Sequence, residues 1–229
     1  MTPASPSHRP EKITRLLSLT AVLAAFCCVA TLVLVIPSPT GGYMNLGDTI
    51  VLLSCYLLGP AYGAASAAFG SALADLLAGY ASYVPATFVI KGLMALLAGG
   101  LYHLLGRKNA AIPLCGIAAE AVMVAGYWLY DGLLLGSLAG SAVGIPSNIV
   151  QGIFGAAAST VLAISLKKIP YVREQFPSLY ANPGPAAAGP GFLTFMQRLS
   201  PSGSQPRRRT WQCWHRARPR TQHRSGCRP

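Results

Sequence analysis

The stretch "AYGAASAAFGSALADLLAGYASYVPATFVIKGLMALLAGGLYHLLGRK" occupies residues 61–108. It holds two apolar blocks, about 61–77 and about 85–105, parted by residues 79–84, which contain no Lys or Arg. A bilayer-spanning helix takes about 17–25 such residues. The second block starts on Pro85, which suits a helix N-terminus, and runs into Arg107 and Lys108. Basic residues gather on the cytoplasmic side of membrane helices. The stretch therefore predicts two spans joined by a turn facing away from the cytoplasm.

The same pattern extends in both directions. Apolar residues make up 52% of the 229 residues and charged residues only 10%, against roughly 25% charged in soluble domains. Four further apolar segments cover about 13–36, 47–58, 111–135 and 146–166. The second of the six, 47–58, is short and spans only with tilt or a bent neighbour. Arg9, Lys12 and Arg15 precede the first segment, and Lys167 and Lys168 close the sixth, whereas 37–46, 79–84 and 136–145 carry no Lys or Arg. The reading is an all-α polytopic membrane protein, a bundle of six transmembrane helices with both termini cytoplasmic. Five spans would put Lys167 and Lys168 outside.

Residues 1–12 form a short cytoplasmic arm, 13–168 the membrane domain, and 169–229 a Pro-, Gly- and Arg-rich tail whose composition predicts disorder. The net charge of +12 does not imply nucleic-acid binding, because ten of the 18 basic residues are arginines of that tail and most others flank apolar runs. Cys27, Cys28, Cys55 and Cys115 lie in apolar segments, where buried thiols are common. No metal-binding or catalytic motif is present, so neither an enzyme nor a bound cofactor is expected. Without a phosphate-binding loop, ATP-driven work requires a partner.

Ionisable residues inside spans are functional candidates by default. Asp75 lies near the outer end of the third segment, and Lys91 about 9 Å into the fourth. Asp131 closes the fifth, beside Tyr130 and one turn from Tyr127. Asn148 and Gln151, three apart, share a face of the sixth, and only Glu120 lies nearer mid-membrane. One reading is an internal polar network with Asp75 and Lys91 as an ion pair. The other is a pocket open to the outside for a small planar polar ligand, with Tyr rings stacking on it and amides orienting it. Asp48, at the start of the second segment, reads as a helix cap. Small residues at Gly63, Ala67 and Ser71, at Gly70, Ala74 and Ala78, and at Ala21 and Ala25 read as close-packing faces or a seam for another membrane protein.

Four blocks carry a specific resemblance: "IPSPTGGYMNLGDTIVLL" (36–53), residues 57–99, "GYWLYDG" (126–132) and "IPSNIVQGIFG" (145–155). Together they resemble the substrate-binding S component of energy-coupling-factor (ECF) vitamin transporters, riboflavin-type subgroup, over about 13–168. The resemblance implies a six-helix fold in a prokaryotic plasma membrane that captures a vitamin, foremost a flavin, at the outer face. It further implies a transmembrane coupling protein and two cytoplasmic ATPases as partners, with Ala21 and Ala25 at the coupling-protein interface. On this reading Tyr43, Asn45, Lys91, Tyr127, Tyr130, Asn148 and Gln151 contact the vitamin. Asp75, Glu120 and Asp131 form a supporting network, with Asp75 and Asp131 orienting Lys91. The alternatives are a stand-alone proton-coupled carrier and a structural scaffold.

Overall fold

The computed structural model describes residues 9–180, and these are predominantly helical. The helices are α1 (Arg9–Val33), α2 (Gly47–Leu58), α3 (Pro60–Leu77), α4 (Val84–Leu104), α5 (Ala111–Leu135), α6 (Leu138–Ser141), α7 (Ile145–Leu166) and α8 (Pro170–Gln175). Single 3-10 turns cover Ala142–Gly144 and Pro177–Leu179. Between α1 and α2, β1 (Ile36–Pro37) pairs antiparallel with β2 (Tyr43–Met44).

Helix α2 is the axis of the bundle. Of its 12 residues only Ile50 is not buried, as expected of a helix that is apolar all round. It packs against α1, α3, α4 and α7, while α5 closes the ring by packing on α4 and α7. At ~1.5 Å per residue α2 is ~18 Å long, too short to cross a core of about 30 Å. Among the described residues, four stretches are long and apolar enough to cross: Ile13–Val33, Val84–Leu104, Ala111–Leu135 and Leu138–Leu166, the last comprising α6, the 3-10 turn and α7.

The distribution of side chains is that of a membrane protein. Leu73, Leu76 and Leu77 of α3, Val89 and Leu93 of α4, and Ile153 and Phe154 of α7 are exposed, while Asp48, Asp75, Lys91, Glu120 and Gln151 are buried. Lipid tails are as apolar as leucine, so helix association leans on close packing and internal polar contacts. Gly63 lets α3 approach α2: a Cβ there would lie 2.4 Å from the Cys55 Cα. Gly70 does the same for α1, where a Cβ would meet the Ala24 carbonyl oxygen at 2.4 Å, and Ser71 adds a contact of 3.3 Å to the Cys27 thiol. The small residues of α3 are thus used within the bundle. Ala21 and Ala25 of α1 are exposed.

The structure differs from the sequence reading at four places, the first being that α1 starts at Arg9 and takes in the end of the 1–12 arm. The first apolar segment does not continue helically to residue 36: α1 ends at Val33, and the next residues enter the β1–β2 hairpin. The stretch 136–145 is not a plain loop but contains α6 and a 3-10 turn, opened by the Ser137 side chain accepting the Gly140 N–H at 3.0 Å. Beyond Ile169, α8 and Pro177–Leu179 pack on the end of the bundle away from the hairpin. There the Tyr102 hydroxyl donates to the Leu179 carbonyl at 2.6 Å, and Arg107 donates to the carbonyls of Pro177 and Tyr180. Residues 181–229, which carry the arginine-rich sequence, lie outside the described residues.

Gly63→Ala is expected to destabilise the bundle by about 1–3 kcal/mol through overpacking. Gly92→Ala, whose new Cβ would sit 3.5 Å from the Ala68 Cβ, should be neutral or slightly stabilising. Thermal unfolding of both variants in the same detergent checks the difference.

Candidate functional site

The cleft is built at the end of the bundle where the hairpin lies. The chain reverses between β1 and β2 through Gly41, whose φ of +95° suits a residue without a Cβ, and the Ser38 N–H donates to the Gly42 carbonyl at 2.8 Å. The hairpin is then tied down from several sides. Tyr83, just ahead of α4, donates to the Thr40 carbonyl at 3.3 Å and to Asp131 Oδ1 at 2.8 Å. The Ser38 hydroxyl meets Ser147 of α7 at 3.2 Å. Tyr43 donates to Asp75 Oδ1 at 2.6 Å, and its ring lies 4.5 Å from that of Tyr80. Burial, then the Asp75 carboxylate, raises the Tyr43 phenol above its ordinary range, and burial with Asp131 does the same for Tyr83. Both remain donors at neutral pH.

Beneath the hairpin runs a chain of polar contacts. The Asn45 side chain accepts the Gly47 N–H at 2.8 Å, covering the first turn of α2, while its backbone N–H donates to Gln151 Oε1 at 2.8 Å. Gln151 Nε2 donates to Asp48 Oδ2 at 2.6 Å, and the other Asp48 oxygen binds the Lys91 ammonium. Lys91 is 2% exposed and Asp48 1%, and Lys91 Nζ lies 5.4 Å from the centre of the Tyr127 ring. The ion pair is therefore Lys91–Asp48 and not Lys91–Asp75. Asp48 stands in the first turn of α2, but its carboxylate bonds Lys91 and Gln151 rather than a helix N–H, and Asn45 accepts the Gly47 N–H. Asp75 and Asp131 hold Tyr43 and Tyr83 rather than orienting Lys91.

The cleft is narrow and open at its mouth, leaving about 20 Å³ of room for the centres of water-sized spheres. Tyr43, Asn45, Tyr127, Asn148 and Gln151 of the anticipated contact set line it. The Asn148 side chain makes no hydrogen bond among the described residues, so its amide is free to meet a ligand. Lys91 does not line the cleft but sits behind Gln151 and Tyr127. Tyr130 stands further back, donating to the Ser82 carbonyl and packing its ring 5.4 Å from that of Tyr83. Asp75 and Asp131 line the cleft directly. Sequence reasoning missed Thr40, Tyr83 and Thr87, the last bonded to the Tyr127 hydroxyl at 2.9 Å. Uncharged hydroxyl residues beside a loop give no depth signal of the kind a buried charge gives.

Glu120 lies on the α5–α7 contact, on the side of Asp48. A Cβ on Gly155 would lie 2.7 Å from Glu120 Oε1 and 2.8 Å from the Asp48 Cβ, and one on Gly152 would lie 3.1 Å from the Glu120 Cβ. The two glycines make room for the carboxyl, whose oxygens are both buried without a hydrogen-bond partner.

Comparison with known proteins identifies related chains. Residues 12–168 match the family model described as ECF-type riboflavin transporter, S component. The thiamine precursor transporter HmpT of Lactococcus lactis subsp. cremoris is 33% identical over 129 residues, 56% of this chain and 72% of that protein. An uncharacterized protein in gap 3' region of Pyrococcus woesei is 35% identical over 142 residues, 61% of this chain and 93% of that protein.

Removing one partner of a buried ion pair leaves the other charge uncompensated, at a cost of about 3–5 kcal/mol. Lys91→Met and Asp48→Asn should each destabilise on that scale, and the double variant should recover a large part of the loss. Chemical unfolding of the four purified proteins in one detergent measures the coupling.

Proposed function

We propose, for a chain that belongs to the ECF-type riboflavin transporter S component family, that its membrane domain captures a planar vitamin or vitamin precursor beneath the β1–β2 hairpin for ATP-driven import. The family makes the chain a multi-pass membrane transport component for a vitamin or vitamin precursor, not an enzyme. The observation that carries the finer reading is the free Asn148 amide in a cleft walled by Tyr43 and Tyr127. Aromatic faces hold a flat ring, and an unpaired amide supplies a donor and an acceptor for its edge. A flavin is the leading cargo, in line with the family description.

The orientation follows from charge. Arg15, Arg107, Lys108, Lys167 and Lys168 lie at the end of the bundle opposite the cleft, with Arg15 bonded to Gln175, the last residue of α8. The positive-inside rule then puts that end in the cytoplasm of a prokaryotic cell and the cleft outside. Six membrane-embedded helices, with the short α2 inside the ring, keep both ends of the described chain on the cytoplasmic side. Energy for release comes from a transmembrane coupling protein and two ATPases, for which exposed Ala21 and Ala25 on α1 offer a flat face.

Glu120 favours a second reading. A buried carboxyl without a hydrogen-bond partner is costly to ionise and suits a proton carrier, so uptake driven by a pH gradient is the competing mechanism. Proteoliposomes holding this chain alone separate the two: uncoupler-sensitive uptake abolished by Glu120→Gln supports the carrier, and no uptake without the ATPase module supports the S component.

Purified protein is expected to carry a yellow flavin absorbance or to acquire it on titration with riboflavin, with Asn148→Ala weakening binding by about 10-fold or more. Absence of flavin binding in a tight-binding titration, with binding of a thiamine precursor instead, would transfer the same site to a different vitamin.

A further inference from the structure

Asp75 is only half satisfied. Its side chain is 4% exposed and lines the cleft. Oδ1 accepts the Tyr43 hydroxyl at 2.6 Å, but Oδ2 is buried with no hydrogen-bond partner. The Thr87 hydroxyl also lies beside the carboxyl and 2.9 Å from the Tyr127 hydroxyl, either of which can be the donor in that pair, but no donor stands within hydrogen-bond distance of Oδ2. A carboxylate is an acceptor only, and an acceptor buried without a donor is destabilising. Whatever enters the cleft therefore stabilises the protein most if it brings an N–H or O–H to Oδ2.

The charge of the walls adds a second constraint. Two carboxylates, Asp75 and Asp131, line the cleft, and none of its described lining residues is a Lys or Arg. Lys91, the cation nearest by position in the fold, is bound to Asp48 behind the wall. A ligand anion placed here would meet like charges and no counter-ion. Amides and hydroxyls make up most of the remaining polar lining, and these bind neutral groups of either polarity.

We infer that Asp75 is a specificity residue that reads a hydrogen-bond donor on the ligand, an N–H of a neutral or cationic heteroaromatic ring or of its amino substituent, and that the cleft rejects anionic forms of the same compound. The inference rests on the proposed capture of a planar vitamin and goes further, because it says which edge of the ring is read and which chemical state is taken. An imide N–H of a flavin meets the requirement, and so does the amino group of the aminopyrimidine half of thiamine. A phosphate ester of either keeps that donor but adds the negative charge that the cleft rejects.

Binding to the purified full chain, measured by calorimetry, tests the inference. The ligands are riboflavin, riboflavin methylated at its imide nitrogen, an aminopyrimidine precursor of thiamine, its dimethylamino counterpart, and the phosphate esters of both parents. For whichever parent binds, blocking the N–H should weaken binding by about 10- to 100-fold, and the phosphate ester should bind more weakly still. Asp75→Asn should weaken the parent by a similar factor and leave the blocked compound nearly unchanged, while Tyr43→Phe should retain the preference for the parent. Equal loss for parent and blocked compound in Asp75→Asn, or a phosphate ester binding as tightly as its parent, would overturn the inference and leave vitamin capture standing. If Asp75→Asn does not fold, the comparison of parent with blocked compound on the unaltered protein decides by itself. Failure of both parents to bind would overturn the capture reading and this inference together.

Discussion

The Lys91–Asp48 ion pair is the constraint around which the other parts are arranged. An ammonium inside a span costs about 2.5–3.5 kcal/mol on insertion scales, and a carboxylate beside it is what makes its burial tolerable. Asp48 is brought to Lys91 because α2 is short and buried among α1, α3, α4 and α7, which sets its N-terminus below the end of the bundle rather than at its rim. Gln151 then ties the same carboxylate to α7 and passes the connection to the backbone of Asn45. One buried charge thus links α2, α4, α7 and the hairpin above them. The close approaches at Gly63 and Gly70 support the same geometry from the side of α3.

The helices were largely legible because membrane helices announce themselves by length and composition. Segments 47–58 and 111–135 coincide with Gly47–Leu58 and Ala111–Leu135, since turn-formers or charges bound each run. The hairpin was not legible: its strands are two residues long, too short for any alternation, and its Pro and Gly residues read equally well as an irregular loop. Helix α8 escaped for a similar reason, since "PYVREQ" covers less than two turns. Its end is bonded by Arg15, and the 3-10 turn that follows it is held by Tyr102 and Arg107, more than 60 positions earlier in the chain.

For the site, residue types were easier to read than pairings. Each polar residue in a span could be picked out singly, but Lys91 and Asp48 are 43 positions apart, and a sequence alone does not say which carboxylate reaches an ammonium. Asp75 lay in the right region for an ion pair and instead holds Tyr43. Lys91, read as a contact residue, is absent from the lining and lies buried behind it, bonded to Asp48. The two aspartates read as supports line the cleft themselves.

The attachment of the hairpin also has a kinetic meaning. Its anchors reach α3 through Asp75, α5 through Tyr83 and Asp131, and α7 through Ser147 and Gln151. Several anchors on different helices must release together before the hairpin lifts, so its detachment is a cooperative event rather than a progressive fraying.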